Sequence, residues 1–348
     1  MKDTMIQQVM EKPHCITFRE IPIPAVQDNQ VLVKIKRIGV CGSDIHVFHG
    51  EHPYVSYPLT QGHEVSGQIV QLGQNVSDFR VGQKVTIEPQ IYCGCCYPCT
   101  HGKYNLCESL KVIGFQAPGT ASEYFAADAS KVTLLPHTLT YEEGAMIEPL
   151  SVAVHACKQA GDITGKNIAV LGAGPIGILV MQALKAFNAG KILITDISDY
   201  RLNLARQCGA DFICNTKSQD FAEHMEKCFG KDKADIIYDC AGNDITMNQA
   251  IQNARKGSMI VLVAVYVGQA HVDLAKLNDS ELDLNTSMMY RHEDYIDAIK
   301  ITEQKKVKLT PLMSKHFTFK EYQKAYEYID ANREATMKVF IDVDSDKT

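Results

Sequence analysis

The sequence lacks an excess of basic residues. Lys and Arg number 35 against 41 Asp and Glu in 348 residues, which gives a formal net charge of -6. Proteins that bind nucleic acid through its phosphates carry the opposite balance, so nucleic acid is not an expected partner. With 45% hydrophobic and 22% charged residues, the composition is typical of globular proteins. A chain of this length is expected to form two domains.

The chain also lacks an uninterrupted apolar run that could span a membrane. Its longest apolar stretch, 168–184, is broken by three glycines and Pro175, whereas a span needs about 18 or more apolar residues. We interpret the stretch as a buried strand followed by a buried helix. Residues 1–12 carry charges and Gln around no apolar centre, so no secretory signal is expected. A cytoplasmic protein without a membrane partner is the expectation.

Cysteine, in contrast, is abundant and unevenly distributed. Five of the 12 cysteines lie in the segment 93–107, and such clustering indicates metal binding rather than disulfides. The spacing C-x2-C-x2-C-x7-C predicts a closed, structural zinc site made of four thiolates, with Cys95 as a bystander. An iron–sulfur cluster, which also takes four thiolates, is the alternative. The predicted ligands are Cys93, Cys96, Cys99 and Cys107.

The first part of the chain has a β-rich pattern. Between residues 16 and 136, apolar residues alternate in short stretches such as 31–38 and 65–72, separated by turn residues. This predicts a mostly antiparallel, barrel-like domain. Thr140-Tyr-Glu-Glu143 predicts a capping box that opens a helix, bent by Pro149, running toward Lys158. A domain boundary is expected near this helix.

Beyond residue 165 the pattern alternates between strands and helices. The strands are near-continuous apolar runs, as in buried parallel sheets, which predicts a doubly wound α/β domain. After about Met288 the pattern weakens, until Thr318-Phe-Lys-Glu321 predicts the cap of a last helix before a strand at 338–343. The predicted domains are 1–150, 151–288 and a segment, 289–348, that returns to the first domain.

A glycine-rich turn directly follows the predicted strand 168–171. In Gly172-Ala-Gly174-Pro-Ile-Gly177, the first glycine permits the tight turn, the second allows close approach of pyrophosphate, and the third allows helix and strand to pack closely. The helix opened by Pro175 and Ile176 would receive the pyrophosphate at its N-terminus. This pattern in this context predicts a dinucleotide site.

Two further residues bear on which dinucleotide binds. Asp196 ends the next predicted strand, where a carboxylate accepts hydrogen bonds from the ribose hydroxyls and repels a 2′-phosphate. NAD is therefore favoured over NADP. Arg201 leaves alternatives open, because it could meet a phosphate, stack on adenine or lie on the surface.

Three short motifs combine thiol, imidazole and carboxylate groups. They are Gly39-Val-Cys-Gly-Ser-Asp44, Gly62-His-Glu64 and Ile147-Glu-Pro-Leu-Ser-Val-Ala-Val-His155. One thiolate, one imidazole and one carboxylate can hold zinc and leave a position for a substrate oxygen. Taken singly, Cys41, His63 and Glu148 also have purely structural interpretations in a core or a helix cap.

Together with the dinucleotide turn and the cysteine segment, these motifs resemble the zinc-dependent medium-chain dehydrogenase/reductase family, particularly its polyol dehydrogenase branch. The resemblance covers nearly the whole chain and implies an α/β fold in which a GroES-like β-rich catalytic domain precedes a Rossmann doubly wound parallel-sheet domain. It implies Cys41, His63 and Glu64 as catalytic zinc ligands. Glu148 is implied as a fourth ligand or as the holder of a zinc-bound water, and the choice stays open.

The resemblance also implies an activity. A hydride would pass from a secondary alcohol of a small polyol, cyclitol or sugar acid to NAD, in a homodimer or homotetramer. Ser43 would take the proton from the substrate oxygen and His46 would receive it by way of the cofactor ribose. Arg291 resembles an arginine near the nicotinamide, and Phe115 and Gln116 are expected to line the pocket. His46 and Arg291 could equally be surface residues.

Two other functions remain open at this point. Oxidation of a β-hydroxy amino acid, as in L-threonine 3-dehydrogenase, uses the same kind of site with glutamate at position 148. A non-catalytic zinc- and NAD-binding regulatory protein would keep the fold, although it has no physical reason to keep the proton path from Ser43 to His46.

Overall fold

The computed structural model describes residues 3–266 and 268–344. The chain forms two compact units. The β unit comprises Met1–Glu148 and Met313–Thr348, and the parallel-sheet unit comprises Pro149–Leu312.

The described residues form the following elements, numbered in chain order. The strands are β1 (Thr4–Lys12), β2 (Cys15–Pro22), β3 (Gln30–Gly39), β4 (Glu64–Leu72), β5 (Lys84–Ile87), β6 (Gln90–Ile91), β7 (Lys111–Val112), β8 (Tyr124–Asp128), β9 (Val132–Leu134), β10 (Ile168–Leu171), β11 (Ile192–Asp196), β12 (Phe212–Asn215), β13 (Ile236–Asp239), β14 (Met259–Leu262), β15 (Asp283–Thr286), β16 (Met313–Thr318) and β17 (Lys338–Asp342). The helices are α1 (Gly42–His49), α2 (Tyr97–Thr100), α3 (Tyr141–Ala145), α4 (Ile147–Lys158), α5 (Pro175–Ala186), α6 (Asp199–Gln207), α7 (Phe221–Phe229), α8 (Asp244–Asn253), α9 (Leu274–Asp279), α10 (His292–Glu303) and α11 (Tyr322–Ala331).

The β unit is built around β3. Its seven-stranded sheet runs in the order β16-β17-β3-β4-β5-β9, and β8 pairs with β3 as well. All pairs are antiparallel except β16 with β17. The predicted alternating stretches 31–38 and 65–72 lie in β3 and β4, where Val33 stands opposite Ile69 and both are fully buried. Their alternation reflects one face packed on the core.

The parallel-sheet unit has six parallel strands in the order β12-β11-β10-β13-β14-β15. Counted from its first strand, this is the order 3-2-1-4-5-6 of dinucleotide-binding folds. All four residues of β10 are buried, which explains why this segment is continuously apolar. In this topology ligands bind beyond the carboxyl ends of the strands where the order reverses, next to β10.

The helix predicted from Thr140 to Lys158 is divided in the structure. Thr140 forms the predicted capping box with Glu143, but α3 ends before Met146 and α4 starts at Ile147. The prediction that Pro149 bends the helix is wrong. Pro149 lies in the first turn of α4, where its missing N–H would have no intrahelical acceptor anyway.

The segment 289–312 lies in the parallel-sheet unit, whereas the sequence pattern placed it in the returning segment. Its helix α10 buries Asp294, whose carboxylate lies 2.7 Å from both His155 Nδ1 and Lys158 Nζ of α4. A charged residue on the buried face weakens the apolar periodicity, so the sequence pattern missed this helix. From Met313 the chain belongs to the β unit, where β17 pairs with β3.

None of the helices described is long and apolar enough to cross a membrane.

Candidate active site

Four thiols of the β unit lie together in the segment 93–107. The Sγ atoms of Cys93, Cys96, Cys99 and Cys107 are all within 4.8 Å of one another, with Cys93–Cys99 at 4.0 Å and Cys96–Cys107 at 3.9 Å. A zinc ion with Zn–S distances of about 2.3 Å sits in a tetrahedron of sulfurs about 3.8 Å apart. This four-cysteine group therefore fits zinc, and Cys95 lies outside it.

Backbone amides of the same segment point at these sulfurs. The amide of Cys93 donates to Cys107 Sγ at 3.3 Å, and that of Cys96 donates to Cys93 Sγ at 3.4 Å. Hydrogen bonds from the backbone amides of Cys95 and Cys96 are the main reason why the pKa of the Cys93 thiol is lowered to about 6. Since the thiolate is the form that binds metal, these amides favour the ligand form of Cys93. Desolvation and the neighbouring thiols instead raise the pKa of the Cys99 thiol to about 12.

A second set of metal-binding side chains, the mixed-ligand group, consists of Cys41, His63 and Glu64. One ligand atom from each lies within 4.8 Å of the others. Cys41 caps the N-terminus of α1, and His63 and Glu64 are at the start of β4. His63 is 5% exposed and Glu64 1%. A partly exposed thiol together with a buried imidazole and a buried carboxylate can hold zinc with one position left open.

Asp44 supports two members of the mixed-ligand group. Its Oδ2 accepts a hydrogen bond from the Cys41 amide at 2.9 Å, and its Oδ1 lies 3.6 Å from His63 Nδ1. Burial lowers the pKa of His63. The negative charge of Asp44 and, to a smaller extent, the Cys41 thiol act in the opposite direction, so that the pKa is raised well above 6.5 overall. The Asp44 carboxylate therefore faces the ring nitrogen of His63 at a distance longer than a hydrogen bond. The sequence signal for this role is the spacing of three residues between Cys41 and Asp44, which forms a capping box.

Lys338 pairs with Glu64. Its Nζ lies 2.6 and 2.7 Å from the two Glu64 oxygens and 3.1 Å from the carbonyl oxygen of Val40. Burial would lower the pKa of Lys338, but the Glu64 carboxylate raises it overall. Lys338 lies on β17, 274 positions beyond Glu64, and sequence reasoning missed it.

Glu148 is buried near the mixed-ligand group but is not a member of it. It is 6% exposed, at the start of α4, and its charge is one of those that raise the pKa of His63. The group within 4.8 Å contains Glu64 as its only carboxylate among the described residues. A direct zinc–Glu148 bond therefore stays a prediction.

The residues predicted to line the pocket and to conduct the proton lie in the same unit as the mixed-ligand group. The Phe115 ring lies 4.9 Å from the His63 ring, and Gln116 Nε2 donates to the carbonyl of Tyr54 at 3.2 Å. Ser43 and His46 lie on α1, which Cys41 caps. The side chain of His46 is 55% exposed, and its Nδ1 is 3.2 Å from Glu51 Oε2. The predicted last residue of the path is thus at the surface.

The glycine turn of the parallel-sheet unit has the geometry that its sequence predicts. Gly172 adopts a φ of +96°, and a Cβ at Gly177 would lie 1.9 Å from the Gly172 oxygen, so a larger residue cannot replace Gly177 without moving the backbone. Gly174 is the N-cap of α5, and apart from its two chain neighbours none of the described residues has an atom within 4 Å of the position of its missing Cβ. The helix N-terminus opened by Pro175 and Ile176 is therefore accessible to an anion.

Asp196 ends β11 beside this turn. Its carboxylate accepts hydrogen bonds from the amides of Ala173 at 2.8 Å and Ser198 at 2.9 Å. Arg201 NH1 lies 3.9 Å from Asp196 Oδ2. The Asp196 carboxylate thus connects β11 to the glycine turn, and Arg201 lies next to Asp196.

Arg291 lies in the parallel-sheet unit as the N-cap of α10. Its amide donates to Asp294 Oδ2 at 2.8 Å, and its Nε lies 3.1 Å from Glu293 Oε1. The side chain therefore has a carboxylate neighbour within its own helix turn. Its approach to nicotinamide or substrate stays a prediction.

Comparison with known proteins agrees with this geometry. Residues 27–137 match the model of the alcohol dehydrogenase GroES-like domain, and residues 175–304 match that of the zinc-binding dehydrogenase family. Sorbitol dehydrogenase 1 of Saccharomyces cerevisiae is 33% identical over 344 residues, covering 96% of both chains. L-threonine 3-dehydrogenase of Legionella pneumophila is 32% identical over 317 residues, covering 90% of this chain and 92% of its own.

A solved structure shows the same fold. An alcohol dehydrogenase from E. coli CFT073, crystallised with NADH, superimposes with a TM-score of 0.91 at 29% identity, covering 98% of this chain and all of its own. The predicted fold class, a GroES-like unit combined with a Rossmann unit, is confirmed. The chain belongs to the zinc-type medium-chain dehydrogenase family and is a zinc-dependent dehydrogenase.

Proposed function

We propose that the protein is a zinc-dependent polyol dehydrogenase that transfers a hydride from a secondary alcohol to NAD. The observation that carries the proposal is the mixed-ligand group, in which Cys41, His63 and Glu64 bring three different donors within 4.8 Å of one another, the last two of them buried. A set of three protein ligands is typical of catalytic zinc, whereas four thiolates are typical of structural zinc. The chain carries both kinds of set.

The side chains of the site have separate tasks. When bound, zinc lowers the pKa of an alcohol hydroxyl and NAD accepts the hydride. Asp44 keeps the His63 ring oriented from behind, and Lys338 balances the charge of Glu64. Ser43 takes the hydroxyl proton, and His46, hydrogen-bonded to Glu51 at the surface, releases it to water.

We propose NAD rather than NADP as the cofactor. The Asp196 carboxylate stands at the end of β11, where it would accept hydrogen bonds from ribose hydroxyls and repel a phosphate. Arg201 lies beside Asp196, and its positive charge offsets part of the negative charge of the Asp196 carboxylate.

The proposed substrates are small polyols, cyclitols or sugar acids, as suggested by the relation to sorbitol dehydrogenase. A β-hydroxy amino acid is the second candidate, because L-threonine 3-dehydrogenase is a relative of comparable identity.

We also propose a homodimer or homotetramer in the cytoplasm. The outer strand β15 of the six-stranded sheet offers backbone groups with which a second copy could pair. All twelve cysteines are free thiols, as in proteins of reducing compartments.

One experiment tests the activity. The purified protein is incubated with NAD and a panel of sorbitol, xylitol, ribitol, arabitol, myo-inositol, gluconate and L-threonine, and absorbance at 340 nm is followed before and after chelation. NADH formation that chelation abolishes, at two zinc ions per chain, is expected. No NADH from any compound at full zinc content would favour a non-catalytic regulatory protein instead.

A further inference from the structure

His52 lies one aromatic ring away from the mixed-ligand group. Its ring stacks on that of Phe115 with centroids 4.9 Å apart and an angle of 11° between the planes. The Phe115 ring in turn lies 4.9 Å from the ring of His63. Phe115 thus contacts both a member of the mixed-ligand group and His52.

The position of the His52 ring is fixed by its own loop. The amide of Tyr54 donates to His52 Nδ1 at 3.3 Å, so Nδ1 is the acceptor and the proton is on Nε2. The carbonyl of Tyr54 accepts from Gln116 Nε2 at 3.2 Å, which holds this loop against the residue that follows Phe115. No hydrogen bond to His52 Nε2 is found within residues 3–266 and 268–344. The loop thus presents a directed N–H donor.

The His52 side chain is suited to neutral ligands. Burial lowers its pKa below the usual 6.5, and the nearby His46 and His63 lower it further. A neutral imidazole donates a hydrogen bond to a hydroxyl oxygen without the charge that would select an anion. This property favours the uncharged polyols among the proposed substrates.

We propose that His52 is a specificity-determining residue whose Nε2–H donates a hydrogen bond to a substrate hydroxyl distant from the carbon that is oxidised. The inference rests on the proposed polyol dehydrogenase function and identifies the part of the substrate that the site recognises. A simple alcohol leaves this donor unpaired in a partly desolvated position, and sites that contain such donors discriminate against analogues lacking the hydroxyl.

The test compares three variants in the zinc-loaded enzyme. His52→Leu removes the donor, and His52→Gln places an amide N–H near the position of Nε2. Ser56→Ala changes an exposed side chain of the same loop and controls for disturbance of the loop. For each protein, kcat and KM are measured with whichever of sorbitol, xylitol, ribitol, arabitol or myo-inositol the wild type oxidises fastest. Calorimetry gives the dissociation constant of the corresponding ketose on the NADH complex, and zinc content is determined in parallel.

We expect His52→Leu to lower kcat/KM by about tenfold or more, mainly through a higher KM, and to weaken ketose binding by a similar factor. His52→Gln should recover most of both, and Ser56→Ala should match the wild type. Unchanged polyol kinetics and ketose binding in His52→Leu, at normal zinc content, would overturn the role of His52 alone. A wild type that oxidises no polyol would overturn the proposed function, and this inference with it.

Discussion

The four-cysteine group and the mixed-ligand group are both suited to zinc, but they are built differently. The four-cysteine group comes from the single segment 93–107 and includes exposed as well as buried thiols, with backbone amides as neighbours. The mixed-ligand group comes from two distant segments, and two of its three members, His63 and Glu64, are nearly inaccessible to solvent. Its neighbours are charged side chains, Asp44 on one side and Lys338 on another.

This difference shows what each kind of site requires. Four thiolates complete the coordination of zinc, so a short loop with amide donors is sufficient. A site that leaves a position open for substrate must hold its ligands without the help of a fourth one, and buried charges around it must be balanced. We therefore expect variants of the two groups to separate activity from stability.

The largest effect on activity is expected from Cys41→Ser. Loss of the thiolate removes several kcal/mol of electrostatic stabilisation from the reaction, which corresponds to a decrease in kcat/KM on the order of 1,000-fold or more. The dinucleotide site lies in the other unit, so NADH binding measured by fluorescence should persist. Zinc content should fall from two ions per chain to about one. Retained turnover would show that Cys41 does not hold the catalytic ion.

The next largest effect is expected on stability, from Lys338→Met in the zinc-free protein. This change leaves the Glu64 carboxylate buried without its 2.6 Å partner, and breaking a buried ion pair typically costs about 3–5 kcal/mol. The measurement is the free energy of unfolding in urea.

Two comparisons control for the Lys338 variant. Lys324, whose side chain is 69% exposed, pairs with Glu321 at 3.4 Å, and Lys324→Met should change stability by at most about 1 kcal/mol. The double variant with Glu64→Gln should recover much of the loss, because no unpaired charge remains. Equal effects of Lys338→Met and Lys324→Met would contradict a structural role of the buried pair.

A smaller loss of stability is expected from Cys99→Ala in the four-cysteine group. Three remaining thiolates hold zinc less tightly, and the loop loses the bond that closes it. We expect a decrease on the order of 2 kcal/mol, seen as a fall in the melting temperature of roughly 5 °C. At temperatures below this transition, kcat should stay close to that of the wild type. A strong loss of kcat in a folded protein that retains one zinc ion per chain would mean that the four-cysteine group and the mixed-ligand group are not independent.

The two groups also differ in what the sequence could predict. The spacing of four cysteines within one segment restricts their geometry, so the structure places the thiols together as the pattern predicts. The glycine turn and the strands of the parallel sheet were predictable for the same reason, since they follow local patterns of spacing and burial. For the mixed-ligand group, spacing carried no information, and resemblance to a family supplied its members.

Contacts between distant residues were not predictable. The partner of Glu64 is 274 positions away, and no pattern near Lys338 distinguishes a buried lysine from an exposed one. The helix α10 was missed because its buried face contains Asp294, which is stabilised there by His155 and Lys158. In both cases a charged side chain is buried because a distant residue neutralises it, and only the tertiary structure shows the pair.

The smallest effect is expected from Cys95→Ala, which tests the membership of the four-cysteine group. Cys95 is exposed and lies outside the set of mutually close thiols, and its side chain contributes no ligand to a tetrahedral site that is already complete. Its replacement should leave zinc content, melting temperature and kcat unchanged, with a stability difference of about 0.5 kcal/mol or less. Metal analysis and calorimetry beside Cys99→Ala provide the comparison. Loss of one zinc ion from Cys95→Ala would instead make Cys95 a ligand, and one of its neighbours, Cys93 or Cys96, would then be the bystander.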